Sequence, residues 1–140
     1  MKIDDFFTSD IASAGIKVPL PARDGSPTEE WILVRGMESD EYRAARDEQM
    51  RAAMAASAIT DVELKAQAMK ESVTRLLGAL VAEWSLETPC TPENVAQLIT
   101  KAPYIGDLID RKSADRRSFF SLRPEDSSTS SGQSSTSGSA

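Results

Sequence analysis

The sequence predicts a mainly α-helical domain of about four helices, with a small N-terminal β-hairpin and a disordered C-terminal tail. Three observations carry that expectation. Well-capped segments with apolar residues every three or four positions recur from residue 39 onward. An alternating run at 16–20 and a strand-like run at 30–35 flank a turn. The last residues, SSTSSGQSSTSGSA from Ser127, hold no apolar side chain larger than Ala140 and cannot build a core. The expected divisions are an N-terminal arm over 1–15, a helical domain over 16–121 and a Ser/Thr/Gly-rich tail over 122–140.

Residues 1–15 hold a short apolar cluster of Ile3, Phe6, Phe7 and Ile11. A short helix and a docked arm both satisfy it. Ile16, Val18 and Leu20 then alternate with Lys17, Pro19 and Pro21. The two prolines cannot donate to a ladder, so this is an edge strand. Asp24-Gly25-Ser26-Pro27 is a turn, with Gly25 suited to positive φ. Glu30 to Arg35, EWILVR, has strong strand propensity, and its unbroken apolar run asks for cover on both faces, by helices or by another subunit.

Ser39 is a good N-cap for a helix over about 40–57, with Asp40 and Glu41 at its positive end. Tyr42, Ala45, Met50, Ala53 and Met54 give it an apolar face of small and flexible side chains. Such a face suits either the edge of a core or an adaptable protein-binding surface. Thr60-Asp61-Val62-Glu63 fits a capping box, Thr60 capping and Glu63 reaching back. The helix that it opens is expected to run to Trp84. Met69, Val73, Leu76, Leu77, Leu80, Val81 and Trp84 then form one stripe, with Leu76, Leu77, Leu80 and Trp84 as the firmest core residues.

Thr91 caps the next helix and Pro92 takes its first position, where a missing N–H costs nothing. Val95, Leu98 and Ile99 are its buried face. Pro103 opens another helix bearing Tyr104, Ile105, Leu108 and Ile109. Phe119 and Phe120 close the domain, either as a latch onto the core or as an exposed anchor for a partner.

Composition narrows the chemistry. The chain carries 16 Lys and Arg against 22 Asp and Glu, a formal net charge of -6. A surface of that sign disfavours nucleic acid, because phosphate binding needs clustered Lys and Arg. The densest basic group, Arg111, Lys112, Arg116 and Arg117, is interleaved with Asp110 and Asp115 and reads as a solvated helix face. Histidine is absent, which removes the commonest general base and metal ligand. Cys90 is the only cysteine and has no imidazole to activate it. Asp4/Asp5, Glu29/Glu30 and Asp40/Glu41 are adjacent carboxylates, which point apart on a helix or strand. The glycines form no phosphate-binding loop. No cofactor, catalytic set or metal site is expected. The longest apolar-rich run, Leu76 to Val81, is far below the roughly 20 residues needed to span a bilayer. MKIDDFF lacks the order of a signal peptide, so neither a membrane nor secretion is expected.

Two blocks carry a family resemblance. PTEEWILVRGMESDEYRAAR is similar to the N-terminal block of the tail assembly chaperones of long-tailed bacteriophages, where a hairpin ends in a Trp-containing strand and a Ser-Asp step opens a helix. LVAEWSLETPCTPENVAQLITKAPYIGDLIDRKSADRRSFF resembles that family's C-terminal block through Trp84, Pro89, Thr91 to Val95, Pro103 and Phe119. Together the blocks cover most of residues 16–120. The likeness is one of order and spacing, without an invariant active site.

The resemblance implies a non-enzymatic protein of the infected host's cytoplasm. It would hold the long, aggregation-prone tape measure protein soluble, help recruit tail tube subunits and be absent from the mature virion. Many such proteins are made in two lengths through a translational frameshift, and the tail here would suit the shorter form. For a helix-in-groove client, the expected partner-binding residues are Met50, Met54, Tyr104, Ile105, Leu108, Ile109, Phe119 and Phe120. Homo-oligomers are expected through the two-sided strand. A head–tail connector or tail completion protein is the alternative, being equally small, acidic and free of catalytic residues.

Overall fold

The computed structural model describes residues 1–121, which form six α-helices and one three-stranded antiparallel sheet and are 60% helical. In chain order these are α1 (Ser9–Ala14), β1 (Ile16–Pro19), β2 (Trp31–Val34), α2 (Asp40–Ser57), α3 (Val62–Gly78), β3 (Val81–Trp84), α4 (Pro92–Lys101), α5 (Pro103–Ala114) and α6 (Arg116–Phe120), preceded by a 3₁₀ turn at Ile3–Phe6. The tail expected over 122–140 lies outside the described residues. The expected count of about four helices rises to six through the short α1 and α6.

The hairpin forms as its residues dictate. β1 and β2 pair antiparallel, with Ile16 opposite Val34 and Val18 opposite Ile32. Gly25 takes φ +87° in the connecting loop, and Asp24 accepts from the Ser26 N–H and hydroxyl. β1 is an edge strand, as Pro19 requires. Ile32 and Val34 on one face of β2 are buried, while Trp31 and Leu33 on the other face are partly covered. The Lys17 ammonium lies 4.2 Å from the Trp31 ring centre, so a lysine stem covers part of that outer face.

One expectation is corrected here. The helix opened near residue 60 ends at Gly78, and Val81–Trp84 is the third strand, beyond β2. Ile32 faces Trp84 and Leu33 faces Glu83, with an irregularity at Leu33/Val34. Leu80, Val81 and Trp84 are spaced three and four apart as on a helix, and strict alternation would put Val81 and Trp84 on opposite faces; both are buried here, in a strand whose ladder with β2 is irregular. The strand is selected by tertiary structure. β2 would otherwise leave a row of N–H and C=O groups unpaired at its second edge. The cap also shifts by one residue: Asp61, not Thr60, accepts from the Leu64 N–H.

Other ends follow the sequence. Ser39 accepts from the Tyr42 N–H and Thr91 from the Asn94 N–H, and Pro92 and Pro103 open α4 and α5. The core joins Val18, Ile32 and Val34 of the hairpin to Leu80 and Trp84, to Val95 and Ile99 of α4, and to Ile105, Leu108 and Ile109 of α5. Leu77 packs partly against it, Leu76 is partly buried without joining it and Val73 is exposed. The expected stripe is therefore core only from Leu77 onward.

Candidate partner-binding surface

The α2–α3 hairpin buries only one residue on each of its two long helices. α2 packs chiefly on α3, with a smaller contact to α1, while the C-terminal end of α3 meets α4 and α5. The seam between the two long helices is made of small side chains: Ala56 is the buried residue of α2 and Ser72 that of α3. Small residues let the helices approach closely but bury little apolar area. The larger apolar side chains, Met50, Met54, Val62 and Leu64, consequently point outward.

The structure divides the residues expected to bind a partner. Met50 and Met54 are 59% and 74% exposed. They lie one turn apart on α2. Ile105, Leu108 and Ile109 are 3%, 9% and 0% exposed. Their assignment to a partner surface is corrected: α5 runs beneath the sheet and over α4, and these three side chains complete the core. Tyr104 is half-exposed, but its hydroxyl donates to the Pro21 carbonyl at 3.0 Å, which ties α5 to the hairpin loop. Phe119 and Phe120 are half-buried. Phe119 lies against Gly36, where an added Cβ would stand 3.3 Å from the ring and 3.1 Å from the Ala12 Cβ, a tight fit that either neighbour would have to relieve by a few tenths of an ångström. Of the two readings of this pair, the geometry is that of the latch.

Residues not assigned from sequence complete the exposed surface. Phe6 and Phe7 leave the 3₁₀ turn exposed and line a groove of about 470 Å³ together with Met37, Glu38, Arg43 and Arg46. Their apolar cluster was legible in the sequence, but its position beside α2 was not. Along α2, Arg43, Arg46, Met50 and Met54 recur at intervals of three and four, the spacing of a single flank.

Two further hollows lie elsewhere among the described residues. A groove of about 400 Å³ between α3 and α4 is lined mostly by polar and charged side chains of both signs, among them Lys70, Glu71, Arg75, Glu93 and Lys101. Cys90 borders another, near Arg35 and Thr91. Burial and the Glu83 carboxylate push its thiol above the usual range, so it is a weaker nucleophile at neutral pH than a free cysteine. Among the described residues no group of three or more Cys, Asp or Glu side chains is placed to hold a metal ion. No helix there is long and apolar enough to cross a membrane. Comparison with protein-family models, characterised proteins and solved structures gives no match.

Proposed function

We propose that this chain is a non-enzymatic tail assembly chaperone of a long-tailed bacteriophage. It binds the tape measure protein in the host cytoplasm, keeps it soluble and helps recruit tail tube subunits. The observation that carries the reading is the ordered pair of sequence blocks: the Trp31 strand followed by the Ser39-Asp40 helix start, then Trp84, Thr91 to Val95, Pro103 and Phe119. The exposed Met50 and Met54 flank supports it, because methionine adapts to varied apolar partners. A holder of long helical clients needs such faces and solubility, and no reaction.

Co-expression tests the reading. The tape measure protein of the same phage is expected to stay soluble and to co-purify with the chain. Loss of the client to the pellet, with no complex in pull-downs against tape measure or tube protein, sinks it. Mass spectrometry of purified virions separates it from a head–tail connector, since a chaperone is missing from the particle and a connector is not.

A further inference from the structure

The geometry points to a docking site for an acidic amphipathic helix along the outer flank of α2, closed at one end by the N-terminal arm. Arg43, Arg46, Met50 and Met54 stand at i, i+3, i+7 and i+11, which aligns them along roughly 16 Å of helix. Phe6 and Phe7 border the arginine end through the groove that they share with Arg43 and Arg46. The strip thus runs aromatic, basic, then thioether.

Charge decides the occupant. The protein is acidic overall, yet the centre of this strip holds two guanidinium groups. Among the described residues the ion pairs are Arg35–Glu41, Arg51–Glu48 and Arg116–Glu38, so neither Arg43 nor Arg46 is within ion-pair distance of a carboxylate, although Asp47 stands one turn from Arg43. The one carboxylate lining the groove, Glu38, is already engaged: it accepts from the Thr8 hydroxyl and pairs with Arg116. Asp47 borders the strip on α2, and Asp4 and Asp5 precede the two phenylalanines in the arm. These acids would repel an acidic helix laid over them, which confines its carboxylates to the two arginines. A matching helix carries apolar residues at i, i+3 or i+4 and i+7, with Asp or Glu beside them near one end, and fits the strip in about three turns. Taken as the client's docking surface, the strip rests on the chaperone reading; as a site for acidic helices it does not.

The test uses the full chain and two fluorescein-labelled designed 18-residue helices, identical in their Leu face and carrying either Glu or Lys beside it. The Glu peptide is expected to bind and the Lys peptide to bind at least about tenfold more weakly. Arg43→Glu with Arg46→Glu is expected to reverse that preference, and Met50→Ser with Met54→Ser to weaken the Glu peptide by about tenfold. Exposed side chains are changed in both variants, so circular dichroism and the urea midpoint should stay as in the parent. Equal binding of the two peptides, or binding indifferent to both double variants, overturns the site. So does a self-association that accounts for the signal, or tighter binding of a single-stranded RNA oligomer through the same arginines. Tape measure capture is measured on the same variants. If peptide binding fails while capture persists, the docking site is wrong and the chaperone reading stands. If peptide binding holds while no capture occurs, the reverse follows.

Discussion

The Arg35 guanidinium donates from Nη1 to the main-chain oxygen of Ala79 at 3.1 Å. The Arg35 N–H also donates to the Leu80 carbonyl at 2.7 Å. One residue at the end of β2 therefore satisfies a carbonyl at the close of α3 and another just before β3. A cation at a helix C-terminus also meets the negative end of the helix dipole. Replacing Arg35 with Met keeps the stem but strands the Ala79 oxygen. We expect a loss of about 1–3 kcal/mol in urea unfolding. Arg35→Lys should recover only part of it, because an ammonium cannot reproduce the planar fork.

Trp84 is buried, and its indole N–H donates to the Thr88 carbonyl at 2.6 Å. Trp84→Phe keeps an aromatic ring in the core and leaves that carbonyl without its donor. The expected cost is about 1–3 kcal/mol, read as a lower urea midpoint. The loop from Ser85 to Cys90 should become more accessible to limited proteolysis.

Burial separates two apolar residues that sequence had grouped as partner-binding. Ile109→Ala removes a fully buried side chain and should cost about 2–5 kcal/mol. Met54→Ser alters an exposed one and should stay within about 0.5 kcal/mol of the parent. Equal losses would mean that Met54 is covered in solution.

Phe119 fills the space that Gly36 leaves open. Phe119→Ala should release α6 and cost about 1–3 kcal/mol, less than full truncation of a buried aromatic because the residue is only partly buried. The Phe120 ring lies under the Arg116 guanidinium at 4.8 Å, so Phe120→Ala should cost less. Amide exchange in α6 measures both.

The Ser13 hydroxyl donates to the Glu41 carboxylate at 2.8 Å. That bond, with help from the Glu41 main-chain N–H and the Arg35 charge, holds the carboxyl below its ordinary value of 4.5. A lowered folded pKa means that the unfolded chain binds the proton more readily. Its contribution is therefore full above pH 4.5 and fades as pH falls below that value toward the lower folded pKa. Urea midpoints measured at neutral pH and near pH 3.5 should differ less in Glu41→Gln than in the parent. An unchanged difference would remove Glu41 from the acid response.

Local chemistry was the legible part of this chain. Ser39, Thr91, Pro92, Pro103 and Gly25 announce their helix ends and turn because a cap or a positive φ is decided within a few residues. Periodicity misled where helical spacing continues into a strand. Leu80, Val81 and Trp84 are spaced as on a helix flank, and only the unpaired edge of β2 selects the strand. For the candidate surface, Met50 and Met54 were legible as flexible apolar residues on a helix that also carries Arg43 and Arg46, but Phe6 and Phe7 came to border those arginines only through folding.

The sequence by itself determined the starts of α2, α4 and α5, the hairpin with its edge strand, and the absence of histidine. These are properties of neighbouring residues and of composition. The tertiary structure alone decided which apolar faces are core and which remain free. Periodicity reveals that a helix has an apolar face, whereas contact reveals whether another element lies on it. Ile105, Leu108 and Ile109 are covered by sheet and helix, and Met50 and Met54 are not, because the α2–α3 seam closes on alanine and serine and leaves the larger side chains outside.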